Sequence, residues 1–334
     1  MKAPTIDLVN FCNFSCSHCL VNREAPKRAM EKELFSQLIR ELKDLGFNYC
    51  GITASGELSL HPELDEIFHI LVRERMDFEI LTNGYLFKEK IFPLIKSPLI
   101  RKRIQLVGFS LDSHREEIHD KNRVSGSYER IIEAIGLCKL LGIPFYIKTA
   151  VTNINKKDLK NIIMFTSGLG AAFQSFIFPE PTKKGLEKGI FPEPQEVYNI
   201  FLRLVNWIPI FPALKIEGFN PSNDLFSCNA FYKFGVDEWG NYLICNNLND
   251  VGRYPTPYKG KECIGNIKDQ PLRELIPIHI SMLSDILEWR FRYKEKIRKA
   301  PLSLCTWCYF QFGKADEWIK RFPQSSWARW LMQT

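Results

Sequence analysis

The sequence lacks any apolar run approaching the roughly 20 residues a membrane-spanning helix needs. It also lacks a secretory start: in MKAPTIDLVNF, Asp7 and Asn10 interrupt the short apolar run, and no small-residue cleavage site follows. There is no long Lys/Arg block, so the net charge of +7 mildly favours an acidic substrate or partner and gives nucleic-acid binding little support. These absences predict a cytoplasmic protein without membrane association. Thiols stay reduced there, so the clusters among the 10 cysteines read as metal-binding or catalytic and not as a disulfide framework. With 334 residues, 45% hydrophobic and 25% charged, the chain has room for one large domain and a smaller one.

One further shortage is local. NFCNFSCSHCL, residues 10–20, holds Cys12, Cys16 and Cys19 but no fourth thiol. Disulfides use thiols in pairs, and a closed metal site takes four ligands. Thiolates suit zinc, copper(I) or iron–sulfur clusters. A [4Fe–4S] cube takes four cysteines when fully enclosed, so three leave one iron open to another molecule. The CxxxCxxC spacing does not match the paired CxxC knuckles of a zinc ribbon.

From residue 6 to about 178, short apolar runs alternate with amphipathic helices. The runs are IDLVNF, YCGITASGE, FEILTNG, RIQLVGFSLD, FYIKTAVT and FQSFIFP. Such alternation predicts a parallel α/β sheet of six strands. The polar groups CNFSCSHC, SGE, TNG and SLD all follow strands, at the end where parallel sheets carry their sites. PEPTKKGLEKGIFPEP then reads as a linker, followed by the helix QEVYNIFLRLVNWI. Beyond it come a hairpin, FGVDEWGNYLIC, a Gly/Pro-rich stretch, and the helical SDILEWRFRYKEKIRK. The domains are expected at 1–190, with a connection at 191–222, a cluster-binding domain at 223–312 and a tail at 313–334.

With its three-cysteine loop behind a first strand, the chain resembles the radical S-adenosylmethionine (SAM) enzymes, whose hallmark CxxxCxφC has an aromatic φ, here His18. The resemblance implies a partial (β/α)6 barrel of the TIM type, with a [4Fe–4S] cluster on Cys12, Cys16 and Cys19 that binds SAM. It also implies SAM contacts for His18, for Gly56 and Glu57 in ASGEL, for Asn83 in LTNG, and for Ser110 and Asp112 in FSLD. ASGEL lacks the first glycine and the proline of the family's GGEP-like turn.

Cys228, Cys245 and Cys305-Thr-Trp-Cys308, with Gly240 five positions before Cys245 and a GNI segment, resemble the SPASM extension of this family. No cysteine follows Cys308, which matches the shortened, Twitch-type α+β domain with one auxiliary [4Fe–4S] cluster. Structural zinc on the same four thiols is the alternative. Cys138 and Cys50 read as core residues. Cys263 reads either as a packing thiol or as a hydrogen donor to a substrate radical.

The resemblance implies hydrogen-atom abstraction from carbon, with a flavodoxin or ferredoxin as reductant. The substrate is expected to be a ribosomally made peptide, epimerised, oxidised or crosslinked. A small-molecule dehydrogenase acting on a sugar or cyclitol is the alternative, and an electron-transfer or zinc-binding module the non-enzymatic one. With its first cysteine at position 12, the chain is expected to have no leader-recognition domain ahead of the barrel.

Overall fold

The structure is a computed structural model that describes residues 3–19, 21, 26–180, 183–218, 228–231, 233–248, 260, 262–299, 304–313 and 315–332. The expected domain start at 223 and most of the Gly/Pro-rich stretch lie outside these residues.

Six parallel strands form where the apolar runs predict them: β1 (Thr5–Asp7), β2 (Tyr49–Thr53), β3 (Asp77–Thr82), β4 (Ile104–Ser110), β5 (Phe145–Ala150) and β6 (Gln174–Ile177). They pair in chain order. Each intervening helix buries one apolar stripe on the sheet. The helix Lys32–Asp44 covers Leu34, Phe35, Leu38, Ile39 and Leu42, as a 3.6-residue period dictates. Gly46, at φ 85°, ends that run in the left-handed conformation. Period-2 alternation then sorts each strand. Cys50 and Ile52, Phe78 and Ile80, and Val107 and Phe109 enter the helix-side core. Cys138 joins the same core, as the sequence predicts.

The sheet does not stop at six strands. β7 (Leu214–Glu217), inside the span 191–222 expected to be a connection, adds parallel to β6. β8 (Gly235–Val236) pairs parallel to β1, and β9 (Asn241–Leu243) and β10 (Cys263–Asn266) continue antiparallel from it. Among the described residues the order is β10-β9-β8-β1-β2-β3-β4-β5-β6-β7, an open sheet that carries the hairpin as its extension. The hairpin is legible from EWGN at a turn. Its docking on β1 is a long-range pairing that local pattern does not encode.

The linker region contains the short helix Lys183–Glu187. The Trp-rich tail packs inward: Trp327 and Ala328 join a second core beneath the helix Pro194–Trp207. No helix among the described residues is long and apolar enough to cross a membrane.

Candidate active site

β1, β2, β3 and β4 deliver the cysteine loop, SGE, TNG and SLD to one end of the sheet, because all four run parallel. The first two segments are zipped together by backbone bonds: Gly56 N donates to Val9 O and Glu57 N to Phe11 O, both 2.9 Å. Their approach is so close that a Cβ on Gly56 would lie 1.8 Å from Phe11 O. Only glycine fits there.

Glu57 is 3% exposed and ties this turn to the next. Its carboxylate accepts from Thr82 Oγ1 at 2.6 Å, Asn83 N at 2.7 Å and Ser59 N at 3.2 Å. Burial pushes the Glu57 carboxyl up, and those three donors work against the rise. Asn83 reaches back to the cysteine loop. Its Nδ2 donates to Asn13 Oδ1 at 2.9 Å and lies 3.8 Å from Cys12 Sγ. Phe14 N also donates to Cys12 Sγ, at 3.3 Å. The three segments are thus one bonded unit around Cys12.

Behind Cys16 and Cys19 stands a charged group. Arg123 grips Asp112 through two hydrogen bonds, Nε to Oδ2 at 2.7 Å and Nη2 to Oδ1 at 3.1 Å. Its charge also acts on Cys16 and Cys19. Burial raises the Asp112 carboxyl, but Arg123, with His18 and His119, outweighs it and holds the group below its usual range. Asp112 is fully buried and also accepts from Asn122 Nδ2 and Ala150 N, both 2.8 Å. Its oxygens are committed to the protein, so in this structure the SLD aspartate braces Arg123. Ser110, at the end of β4, is half-buried.

His18 is 8% exposed, and its Nδ1 has no hydrogen-bond partner among the described residues. Burial lowers its pKa to about 4, which leaves the ring neutral. The residues fit a three-thiolate iron–sulfur site. They supply three cysteines, N–H donors at one sulfur, a guanidinium near the other two, and a neutral ring with an unsatisfied nitrogen. Cys12, Cys16 and Cys19 form no disulfide.

The second cysteine set converges as well. Cys228, Cys245, Cys305 and Cys308 line one cavity. Among the described residues, no three Cys, His, Asp or Glu side chains stand close enough to hold a single metal ion, Cys12, Cys16 and Cys19 included. Four thiols are a full ligand set for a [4Fe–4S] cube or for a zinc ion. Two residues that the sequence reading missed meet these sulfurs. Arg290 donates from Nη2 to Cys308 Sγ at 3.1 Å. Glu180, which accepts from Thr306 Oγ1 at 2.8 Å, acts on Cys305. Neither carries a local signal, since each is far in sequence from the thiols it meets.

Cys263 does not line that cavity; it lies in β10. Its Sγ donates to Gly265 O at 3.5 Å, and burial, then Asp237, pushes the thiol up to about 11. Lys148, whose facing the sequence left open, pairs with Glu217 at 3.0 Å, and Ser175 Oγ donates to the same carboxylate at 2.9 Å. His119 accepts from Asp112 N at 3.1 Å, and burial lowers its pKa from 6.5 to about 4. A folded-state value below the unfolded one means that the unfolded chain binds more protons between the two. The His119 contribution to stability should therefore rise with pH from about 4 to about 6.5, by up to about 3 kcal/mol, while the raised Asp237 and Glu238 carboxyls act in the opposite direction over the same range. The difference in urea midpoint between the unsubstituted chain and His119→Gln should grow across that window.

An open parallel sheet with a three-cysteine loop at its C-terminal end, braced by a GE turn, defines the radical SAM class. Residues 6–166 match the Radical SAM superfamily, so the chain contains a radical SAM domain, a family that implies SAM and a [4Fe–4S] cluster. The chain is 29% identical over 219 residues to the antilisterial bacteriocin subtilosin biosynthesis protein AlbA of Bacillus subtilis (strain 168), covering 61% of this chain and 48% of that protein. It is 26% identical to the AdoMet-dependent heme synthase of Methanosarcina barkeri (strain Fusaro / DSM 804), covering 80% of each. Streptococcus suis SuiB bound to S-adenosylmethionine shares the fold, with TM-score 0.64 at 16% identity, over 82% of this chain and 65% of that one. The chain thus spans about half of AlbA's length and less than two thirds of SuiB's.

Proposed function

We infer that this protein is a radical SAM enzyme that removes a hydrogen atom from a carbon of a ribosomally made peptide. The observation that carries the radical chemistry is the bonded unit of cysteine loop, SGE turn and Asn83 around Cys12. When bound, the cluster and SAM supply a 5′-deoxyadenosyl radical formed by one-electron reduction. The chain's residues hold and orient that pair. Cys12, Cys16 and Cys19 are the iron ligands. Gly56 gives a close backbone approach. His18, Glu57, Asn83 and Ser110 form the SAM surroundings, and Asp112 acts through Arg123.

Peptide modification is supported by the relatives: AlbA is a bacteriocin biosynthesis protein, and SuiB has been solved bound to its precursor peptide SuiA. Cys228, Cys245, Cys305 and Cys308 are read as ligands of an auxiliary [4Fe–4S] cluster in a Twitch-type region. Their shared cavity supports one common site, and the radical SAM domain ahead of it favours a cluster over zinc. Cys263 is read as the donor that returns a hydrogen atom in an epimerisation, and its raised pKa keeps the S–H that such a role needs. We place the enzyme in the cytoplasm with a flavodoxin or ferredoxin as reductant. A small-molecule substrate is the second reading, favoured by the even 80% coverage with the heme synthase.

Anaerobic reconstitution tests both levels. About eight irons per chain are expected, with 5′-deoxyadenosine released from SAM under dithionite and abolished by Cys16→Ala. A peptide deuterated at its α-carbons should pass deuterium to the 5′-deoxyadenosine. Cys263→Ala should keep SAM cleavage and lose the epimerised product. A loaded enzyme that leaves SAM intact would end the radical reading, and deuterium transfer from a small molecule alone would replace the peptide.

A further inference from the structure

The helix Leu272–Arg292 buries Leu272, Leu275, His279, Ile286 and Arg290 along one stripe. A helical period calls for an apolar residue at the last of these positions. Arginine is among the side chains least often fully buried, and then only with a partner. Arg290 is 0% exposed. Two positions further on, Arg292 lies at the surface and pairs with Glu288 at 2.9 Å, so a cation for the end of the helix is already supplied outside the core. Helix capping therefore does not explain Arg290.

Its partners do. Arg290 lines the four-cysteine cavity beside Ile286. Nη2 donates to Cys308 Sγ at 3.1 Å, and Cys228 lines the same cavity. The groups that act most on the Arg290 charge are these two sulfurs. One guanidinium thus serves two of the four thiols, while Glu180, from outside the cavity lining, acts on a third, Cys305.

We propose that Arg290 is a potential-setting residue of the auxiliary redox site, holding Cys308 by an N–H···S bond beside Cys228 and countering the charge that one added electron brings. This rests on the auxiliary-cluster reading above. The physical ground is general. Net charge, hydrogen bonds to the ligand sulfurs and burial set the potential of an iron–sulfur site. A buried cation bonded to a ligand sulfur favours the more negative, reduced form over the oxidised one, and so raises the midpoint. Lysine would keep the charge but lose the fork; glutamine would lose the charge.

The test uses the full chain carrying Cys12→Ala, Cys16→Ala and Cys19→Ala, reconstituted with iron and sulfide so that only the C-terminal thiols load. Dithionite titration followed by electron paramagnetic resonance gives the midpoint for Arg290, Arg290→Lys and Arg290→Gln. Expected are about four irons per chain, a lower midpoint with lysine and a still lower one with glutamine. Unchanged midpoints in both variants would overturn the proposal, because a merely structural arginine moves stability and not potential. Should the glutamine chain fail to load, the lysine chain decides alone: a lowered midpoint supports the role and an unmoved one refutes it. Uptake of zinc in place of iron by the Arg290 chain is a different failure, visible in its metal content, and overturns the auxiliary-cluster reading itself.

Discussion

Gly56→Ala is expected to cost about 3 kcal/mol or more of stability and to prevent SAM cleavage. The added methyl carbon would stand 1.8 Å from Phe11 O, 2.4 Å from Phe11 C and 2.6 Å from Phe11 N. These are backbone atoms, so no rotamer change relieves the clash. Relief requires breaking the bonds from Gly56 N to Val9 O and from Glu57 N to Phe11 O, which hold the SGE turn against the cysteine loop. The damage should be local to the N-terminal site. Iron content should fall to about half, because the C-terminal thiols still load, and the urea midpoint should drop. A Gly56→Ala chain with full iron, normal stability and intact SAM cleavage would show that the two segments do not rely on this approach.

Asp112→Ala should destabilise the protein by about 3–5 kcal/mol. The substitution leaves Arg123, only 12% exposed, without its carboxylate, and strips Asn122 Nδ2 and Ala150 N of their acceptor. Breaking one side of a buried pair costs more than removing both charges. Asp112→Leu with Arg123→Met should therefore be more stable than Asp112→Ala alone. The pH sign follows from the depressed Asp112 pKa. Its contribution is complete above the unfolded carboxyl value of about 3.9 and is lost as pH falls through the lower folded value. In Asp112→Ala that part of the acid sensitivity should disappear from the urea midpoints. An unchanged acid limb would mean that the pair is not formed in solution.

Much of the site is readable without coordinates, because its signals are short. Cys12, Cys16 and Cys19 lie within eight positions, and SGE, TNG and SLD each follow an apolar run that ends a strand. Strand order then brings them together, since neighbouring parallel strands present the same end. Residue types do not say which way a side chain turns, however. Asp112 reads as a SAM contact in FSLD, yet its carboxylate points into a network of Arg123, Asn122 and Ala150. The alternation in FYIKTAVT does not settle which way Lys148 faces, and the fold pairs it with Glu217 on a strand that the pattern did not reveal.

The sequence by itself determined the alternation of strands and helices, the three-thiol loop and the gathering of polar turns at one sheet end. These depend on residue period and on spacings of a few positions. Only the tertiary structure decided that β8 docks on β1, that Lys148 pairs with Glu217, and that a buried arginine bonds a sulfur of the four-cysteine set. The reason is physical: a partner many turns or strands away is selected by the burial and pairing of the folded core, and leaves no periodic trace in the chain.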